Sequence, residues 1–286
     1  MATVLKGIEV VNSMKIKMID DVNDLKSKGI QPCLAIVRIG QREDDLSYER
    51  GAIKRCEGIG LTCKVFEFEE NIDESSFINK FKAINIDENI HGILLFRPFP
   101  KQINERKVIE VMDSEKDIDC MTSGNLAKIF SGDETGYAPC TAEAVIRVLE
   151  YFNIDICGKN AVIVGRSLVV GKPLAMMLLK KNATLTICHT KTNNIQEICK
   201  RADIIIAAAG KARMLTSEFI SDDTVVIDVG INVDENGNLC GDVDFESASQ
   251  IAMAITPVPG GVGTVTTSVL AEHVVRAAHR RMITRV

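Results

Sequence analysis

A turn containing two glycines is the first segment in which residue types and spacing suggest chemistry. Gly165 and Ser167 directly follow the β-rich run Ala161–Val164, and Gly171 and Pro173 come where a helix can begin. Glycine allows a tight turn, and the free amides and dipole at a helix N-terminus attract phosphate groups. The spacing differs from G-x-G-x-x-G, and many strand-to-helix turns bind nothing. On these residues alone, phosphate binding and a plain turn are both open.

The charges that follow this turn favour one kind of phosphate ligand. A dinucleotide fold that selects NAD usually has an acidic residue about 20 residues beyond its first glycine, where it holds the ribose hydroxyls. No acidic residue occurs between Gly165 and Glu197. The stretch instead carries Arg166, Thr190 and Lys191, which offer two cations and a hydroxyl. Because these groups suit a 2′-phosphate, the sequence predicts NADP rather than NAD as the cofactor.

Two later segments could form the wall of a ligand pocket. Asp228–Asn232 follows an apolar run, and Pro257–Gly263 has three glycines in its last four positions. Glycines let backbone amides approach a ligand with no side chain in the way, and the prolines stiffen the loop. A flexible surface loop that binds nothing is the competing interpretation.

Helical and strand patterns alternate along the chain around these segments. Short apolar runs predict strands at Cys33–Ile39, Cys63–Phe68, Gly92–Leu95, Ala161–Val164, Leu185–Cys188, Ile204–Ala208 and Val225–Val229. Helical spacing fills most of the intervals, and a last long helix is predicted near Thr266–Met282. This alternation predicts an α/β fold with mainly parallel sheets, which bind ligands at the carboxyl ends of their strands. A break rich in Gly, Asp, Thr and Pro at Gly132–Thr141 predicts a domain boundary.

Several long motifs occur in the order found in one enzyme family. They are the turn described above and the segments Gly92–Leu95, Lys116–Asp119, Pro139–Thr141, Asp228–Asn232, Gly241–Phe245 and Pro257–Gly263. On these motifs the chain resembles the methylenetetrahydrofolate dehydrogenase/cyclohydrolase family almost from end to end. The resemblance implies a homodimer whose subunits have two α/β domains with a cleft between them. A folate-binding catalytic domain is expected at 1–140, completed by a C-terminal helix at 266–286, and a Rossmann-like, doubly wound NADP-binding domain at 141–265.

The resemblance also implies two reactions and a set of site residues. Hydride passes from methylene-tetrahydrofolate to NADP, and water then opens the methenyl-tetrahydrofolate product to formyl-tetrahydrofolate. Tyr48 and Asp119 match catalytic and folate-binding positions of the family. Pro259, Gly260 and Gly261 match further substrate-binding positions. The residues that match cofactor-binding positions are Gly165, Arg166, Ser167, Gly171, Thr190 and Ile231.

This chain departs from the family at the residues of the hydrolytic step. The family has a Lys four positions after the Tyr as general acid/base and a Gln that holds it, whereas this chain has Ala52 and Phe96 there. Lys54 lies nearby, but two residues along a helix turn a side chain about 200° away. Hydride transfer depends mainly on how cofactor and substrate are held, whereas hydrolysis needs proton transfers worth about 10²–10⁴-fold. The sequence therefore predicts an NADP-dependent dehydrogenase with weak or absent cyclohydrolase activity.

Three other interpretations remain open. The protein could be fully bifunctional, with Lys54 or Arg97 repositioned to carry the proton. It could be a catalytically silent folate-binding partner subunit. It could also be a dehydrogenase that acts on a different small substrate, because Thr264 replaces the family's usual Pro and Phe96 reshapes the pocket.

Composition argues against several other classes of protein. The 286 residues carry 34 basic and 39 acidic side chains, and aromatic residues make up 5% with no Trp. The formal net charge of -5 gives no footprint for nucleic acid or an anionic membrane. The nine cysteines are scattered without a C-x-x-C pair, so neither a disulfide framework nor a metal site is expected. Without a signal segment or a run of about 18 apolar residues, the sequence predicts a cytoplasmic protein.

Overall fold

The chain divides into two compact units. The computed structural model describes residues 1–284. The six-stranded unit, named after its sheet, consists of Met1–Asn12, Ile129–Asp133 and Pro139–Thr266. The three-stranded unit consists of Ser13–Lys128, Glu134–Ala138 and the chain from Thr267 onward.

Strands and helices alternate through both units. The strands are β1 (Thr3–Val4), β2 (Cys33–Ile39), β3 (Thr62–Phe68), β4 (Gly92–Leu95), β5 (Asn160–Val164), β6 (Thr184–Cys188), β7 (Ile204–Ala207), β8 (Val225–Asp228), β9 (Asn232–Val233), β10 (Leu239–Cys240) and β11 (Ala254–Ile255). The helices are α1 (Gly7–Ser27), α2 (Glu43–Glu57), α3 (Glu74–Ile86), α4 (Glu105–Glu110), α5 (Ser123–Ser131), α6 (Cys140–Tyr151), α7 (Gly171–Lys180), α8 (Ile195–Lys200), α9 (Phe245–Ala248) and α10 (Val262–Thr284). Within residues 1–284, no helix has both the length and the apolar character needed to cross a membrane.

The units differ from the predicted domain boundaries at the N-terminus. The motifs predict one domain at residues 1–140, whereas Met1–Asn12 belongs to the six-stranded unit. The reason is that β1 pairs in parallel with β11, with Thr3 opposite Ala254. A two-residue strand has no periodicity, so the sequence pattern gave no sign of this pairing.

The three-stranded sheet positions the helix that carries Tyr48. Its order is β3-β2-β4, and both neighbours run parallel to the central strand β2. All seven residues of β2 are buried, as expected of the middle strand of a covered parallel sheet. On one face, Phe77 of α3 packs edge-on against Phe68 with ring centroids 5.2 Å apart. Because α2 follows β2 after a short turn, Tyr48 is held near the carboxyl end of this sheet.

The six-stranded sheet has the topology of a doubly wound fold. Its order is β1-β11-β8-β7-β5-β6, and every neighbouring pair is parallel. From β5 the chain goes first to β6 on one side and then to β7 on the other, so the strand order reverses beside β5. Ligands of such sheets bind outside the carboxyl ends of the strands at this reversal. The predicted α/β class with a doubly wound parallel sheet is confirmed, and the predicted glycine turn directly follows β5.

Candidate functional site

The turn after β5 is packed too closely for a side chain. Gly165 has a φ of +143°, which L-residues rarely adopt, and a Cβ there would overlap the carbonyl oxygen of Ala208. Ala208 follows β7, and its amide donates a 2.9 Å hydrogen bond to the Val164 carbonyl. A Cβ at Gly171 would overlap the Gly165 carbonyl oxygen, so α7 begins directly against the turn. The structure therefore brings both predicted glycines together where the strand order reverses.

Polar side chains are exposed beside this turn. Arg166 and Ser167 continue it, and Ser167 Oγ accepts a 3.1 Å hydrogen bond from the amide three residues further on. On the neighbouring strand, β6 ends in a turn in which the His189 amide donates to Thr192 Oγ1 at 2.8 Å. Thr190, between these two residues, is exposed. Hydroxyl and guanidinium groups at adjacent strand ends suit an anionic ligand.

A cavity of about 210 Å³ lies beyond the carboxyl ends of β8 and β11. It is lined by residues 228–231, 257–261 and 263–264 and by Leu239. Four residues that the sequence analysis assigned to ligands, Ile231, Pro259, Gly260 and Gly261, are thus part of one wall. Gly260 has a φ of +101°, a conformation that favours glycine, and its carbonyl accepts a 2.8 Å hydrogen bond from the Gly7 amide. The loop is therefore ordered by the protein itself.

Two buried aspartates, Asp228 in this wall and Asp242 hydrogen-bonded to it, are given no individual role by the sequence motifs. Asp228 accepts hydrogen bonds of 2.9–3.1 Å from the amides of Gly230, Asp242 and Val243. Burial, together with the Asp242 carboxylate, raises the pKa of Asp228 to about 6. Asp242 accepts from three consecutive amides at residues 209–211. The only signal that could have identified these two residues is an aspartate near a glycine in each motif. That pattern is equally common in simple turns, so it does not indicate a role.

In the three-stranded unit, Tyr48 lies beside Phe96, which directly follows β4. Their ring centroids are 5.9 Å apart with an interplanar angle of 86°. Ala52, one helical turn after Tyr48, is fully buried, whereas Lys54 is exposed. Lys54 is therefore on a different face of α2 from Ala52, as the helical spacing predicts.

Asp119 lies in an ordered segment beside β4. It is half-buried and follows a parallel bridge between Ile93 of β4 and Asp117. The Asp117 carboxylate is fully buried and accepts 2.8 Å hydrogen bonds from the amides of Met121 and Thr122. These bonds hold the chain on either side of Asp119 in place. Tyr48 and Asp119 are thus carried by separate elements of the same unit.

A buried ion pair ties α2 to the sheet. Arg38 Nε of β2 lies 2.9 Å from Glu49 Oε2, and Arg38 Nη2 lies 2.9 Å from Glu67 Oε2 of β3. The Arg38 and Glu49 side chains are only 7% and 12% exposed, whereas that of Glu67 is 45% exposed. Because Glu49 adjoins Tyr48 on α2, the pair fixes the orientation of the helix that carries the tyrosine.

Loss of the Arg38 charge should destabilise the protein strongly. We expect Arg38→Met to lower the free energy of unfolding by about 3–5 kcal/mol, because Glu49 would be left buried without its partner. Glu67→Gln is the matched control, since exposed ion pairs contribute about 0–1 kcal/mol. Urea unfolding followed by circular dichroism measures both. Equal losses in the two variants would contradict a dominant role for the buried pair.

The six-stranded unit has the features that a dinucleotide requires. Gly165 and Gly171 let α7 begin directly against the turn after β5, and a helix N-terminus attracts phosphate groups. Cations and hydroxyls follow on the neighbouring strand end, with no carboxylate between Gly165 and Glu197. This fold and this turn together define a dinucleotide-binding α/β protein.

Comparison with known proteins assigns the chain to one family within that class. Residues 5–119 match the model of the tetrahydrofolate dehydrogenase/cyclohydrolase catalytic domain, and residues 139–282 match the NAD(P)-binding domain of the same family. The chain belongs to the tetrahydrofolate dehydrogenase/cyclohydrolase family of enzymes, as the motifs predicted.

Three of its relatives are named as bifunctional proteins or for both activities of the family. The "Bifunctional protein FolD" of Clostridioides difficile (strain 630) is 50% identical over 274 residues, which cover 96% of each chain. The solved structure of the bifunctional dehydrogenase/cyclohydrolase from Campylobacter jejuni has 38% identity and a TM-score of 0.95, covering 98% of this chain and 100% of that one. The Trypanosoma brucei enzyme, solved with NADP and an inhibitor, has 32% identity and a TM-score of 0.92, covering 98% of each chain. These names do not favour the predicted loss of cyclohydrolase activity.

Proposed function

We propose that this protein oxidises methylene-tetrahydrofolate to methenyl-tetrahydrofolate with NADP as the hydride acceptor. The observation that carries the proposal is the close packing of Gly165 and Gly171 at the strand-order reversal, which brings the N-terminus of α7 against the turn, in a member of this enzyme family. Tyr48 and Asp119, both retained, support folate as the hydride donor.

Charge beside the turn supports NADP rather than NAD. Arg166, Thr190 and Lys191 are all exposed at adjacent strand ends, and the Trypanosoma brucei relative was solved with NADP. In this proposal Gly165, Ser167 and Gly171 hold the diphosphate. The Arg166 and Thr190 side chains face the 2′-phosphate, and Ile231 contacts the nicotinamide end. Bound NADP would supply the hydride acceptor. The protein would position the cofactor and provide the positive charge that faces its 2′-phosphate.

The proposed folate-binding residues come from the family motifs. Tyr48 and Asp119 would hold the pterin, and Pro259, Gly260 and Gly261 would line the substrate. We also propose that the protein is a homodimer in the cytoplasm, which the family resemblance and the composition support.

We propose further that the second reaction, hydrolysis of the methenyl ring, is weak. That step needs a group that takes a proton from water and another that protonates the leaving nitrogen. Next to Tyr48, Ala52 offers only a methyl group and Phe96 only a ring. Arg97 is paired with Glu105 at 2.9 Å, and a guanidinium stays protonated near neutral pH. The alternative, a fully bifunctional enzyme, is supported by the names of the relatives.

Two assays on the same purified sample test the proposal. The first follows NADP reduction with methylene-tetrahydrofolate as the donor. The second follows the near-ultraviolet absorbance of methenyl-tetrahydrofolate in a buffer that does not itself open the ring. We expect NADP reduction together with methenyl decay at the rate of buffer alone. Absence of NADP reduction would overturn the dehydrogenase proposal, and accelerated decay would establish the bifunctional alternative.

A further inference from the structure

Asp242 joins two loops next to the glycine turn. It follows β10, and its side chain is fully buried. Asp242 Oδ2 accepts hydrogen bonds from the amides of Ala209 and Gly210 at 2.6 and 2.9 Å, and Oδ1 accepts from the Lys211 amide at 2.9 Å. Three consecutive amides that converge on one carboxylate form a nest of the kind that binds anions. Here the anion is a side chain of the protein.

The loop held by this nest contacts the glycine turn. Ala208, immediately before the nest, donates a 2.9 Å hydrogen bond to the Val164 carbonyl. Its own carbonyl oxygen is the atom that a Cβ at Gly165 would overlap. Any shift of residues 209–211 therefore displaces the backbone against which Gly165 is packed.

The fourth hydrogen bond to the Asp242 carboxylate comes from the cavity wall. Asn232 Nδ2 donates to Asp242 Oδ1 at 2.9 Å, and Asn232 adjoins Ile231, which lines the cavity. The Asp242 backbone is fixed in turn, because its amide donates to Asp228 Oδ1 at 3.1 Å. All four donors to the Asp242 carboxylate are neutral groups. Asp242 thus connects the turn after β5 with the wall after β8.

We infer that Asp242 is a positioning residue for NADP, which sets the distance between the glycine turn and the Ile231 wall without touching the ligand. The inference rests on the proposed function, since it takes NADP as the ligand of these two loops. The hydrogen bonds of Asp242 do not reach the loop 257–261, which is bonded instead to Gly7. Loss of Asp242 should therefore weaken NADP binding more than folate binding.

Asn232→Ala is the milder of two test variants. Asn232 is half-buried. Its replacement removes the hydrogen bond that connects Asp242 to the segment of Ile231, and it leaves the three amide hydrogen bonds of the nest intact. We expect the Kd for NADP, measured by titration calorimetry without folate, to rise about tenfold. The KM for methylene-tetrahydrofolate should change by less than about twofold, since its proposed loop is held separately.

Asp242→Asn is the stronger variant. An amide nitrogen at this position faces donors whichever way the side chain is turned, so at least one buried N–H group loses its acceptor. We expect the Kd for NADP to rise about 10²-fold and the melting temperature to fall. If this variant does not fold, Asn232→Ala still decides the question.

Asp203→Asn separates positioning from general loss of stability. Asp203 also caps backbone in the six-stranded unit, accepting from the Asn160 amide at 2.7 Å, but at the amino end of the sheet. We expect a lower melting temperature with the wild-type Kd for NADP. An equal rise in Kd for Asp203→Asn and Asn232→Ala would overturn the inference, as would an equal rise in the folate KM and the NADP Kd. A wild-type protein that binds no NADP would instead overturn the proposed function.

Discussion

Gly165→Ala is expected to lower kcat/KM for NADP reduction by about 10²-fold or more. The new methyl group would overlap the carbonyl oxygen of Ala208, which is a backbone atom and cannot rotate away. At a φ of +143°, alanine would also be strained by roughly 1–3 kcal/mol. Relief of the overlap has to move the end of β5 or β7, and a displacement of about 1 Å near a reacting group can cost about 10²-fold.

The matched control for this variant is Gly158→Ala. Gly158 belongs to the same unit and also has a positive φ, of +73°, but a Cβ there would meet nothing within 4 Å. We expect a loss of about 1 kcal/mol in stability and no change in the Kd for NADP. Initial rates and calorimetric titration with NADP measure both variants. Equal effects would mean that backbone strain matters here and the close approach to Ala208 does not.

The double variant Ala52→Lys/Phe96→Gln is expected to hydrolyse methenyl-tetrahydrofolate about 10²-fold faster than the wild type. A lysine at position 52 would lie one helical turn from Tyr48, and a glutamine at position 96 would supply the oxygen that holds its ammonium group. Ala52→Lys alone would bury an ammonium group, since position 52 is fully buried, without the acceptor that a glutamine supplies, and Phe96→Gln alone would supply the acceptor without the lysine. The gain should therefore be strongly non-additive.

Methenyl decay in the four proteins of this double-mutant cycle measures that coupling. Lys54→Met is the control, because Lys54 is exposed on another face of α2, and both activities should stay at wild-type levels. Fast hydrolysis by the wild type that disappears in Lys54→Met would show that Lys54 carries the proton. Our assignment of position 52 would then be wrong.

Most regular elements could be predicted because each depends on residues close together in the chain. The apolar run Cys33–Ile39 coincides with β2, and helices fill most of the intervals between the strands, as the helical spacing predicts. The last helix begins at Val262. The sequence predicts a later start, near residue 266, because the glycines around Val262 are typical of a loop. There the burial of Val262 and Val265 outweighs the low helix propensity of glycine. Such tertiary packing cannot be deduced from a local pattern.

The candidate site was predictable where the backbone itself dictates the residue. Gly165 could be identified because a tight turn after a strand requires it. The role of Asp242 was not predictable, since its partners at residues 209–211 lie more than 30 positions away. The contact between Tyr48 and Phe96 likewise joins residues on separate elements. Contacts between residues far apart in the chain depend on the completed sheet. The sequence pattern predicts the class of that fold but not which of its residues meet.

The pairing of β1 with β11 has a consequence for how the chain is made. Thr3 and its partner Ala254 are more than 200 positions apart, so β1 stays unpaired until translation has reached β11. The three-stranded unit likewise lacks its last helix until α10 has been synthesised. Val274 of α10 lies 3.0 Å from the point that a Cβ atom at Gly92 would occupy. Late, long-range packing in both units favours slow folding. A fragment ending at residue 140 would lack α10, and one beginning at 141 would lack β1, so either half expressed alone would expose its core and aggregate.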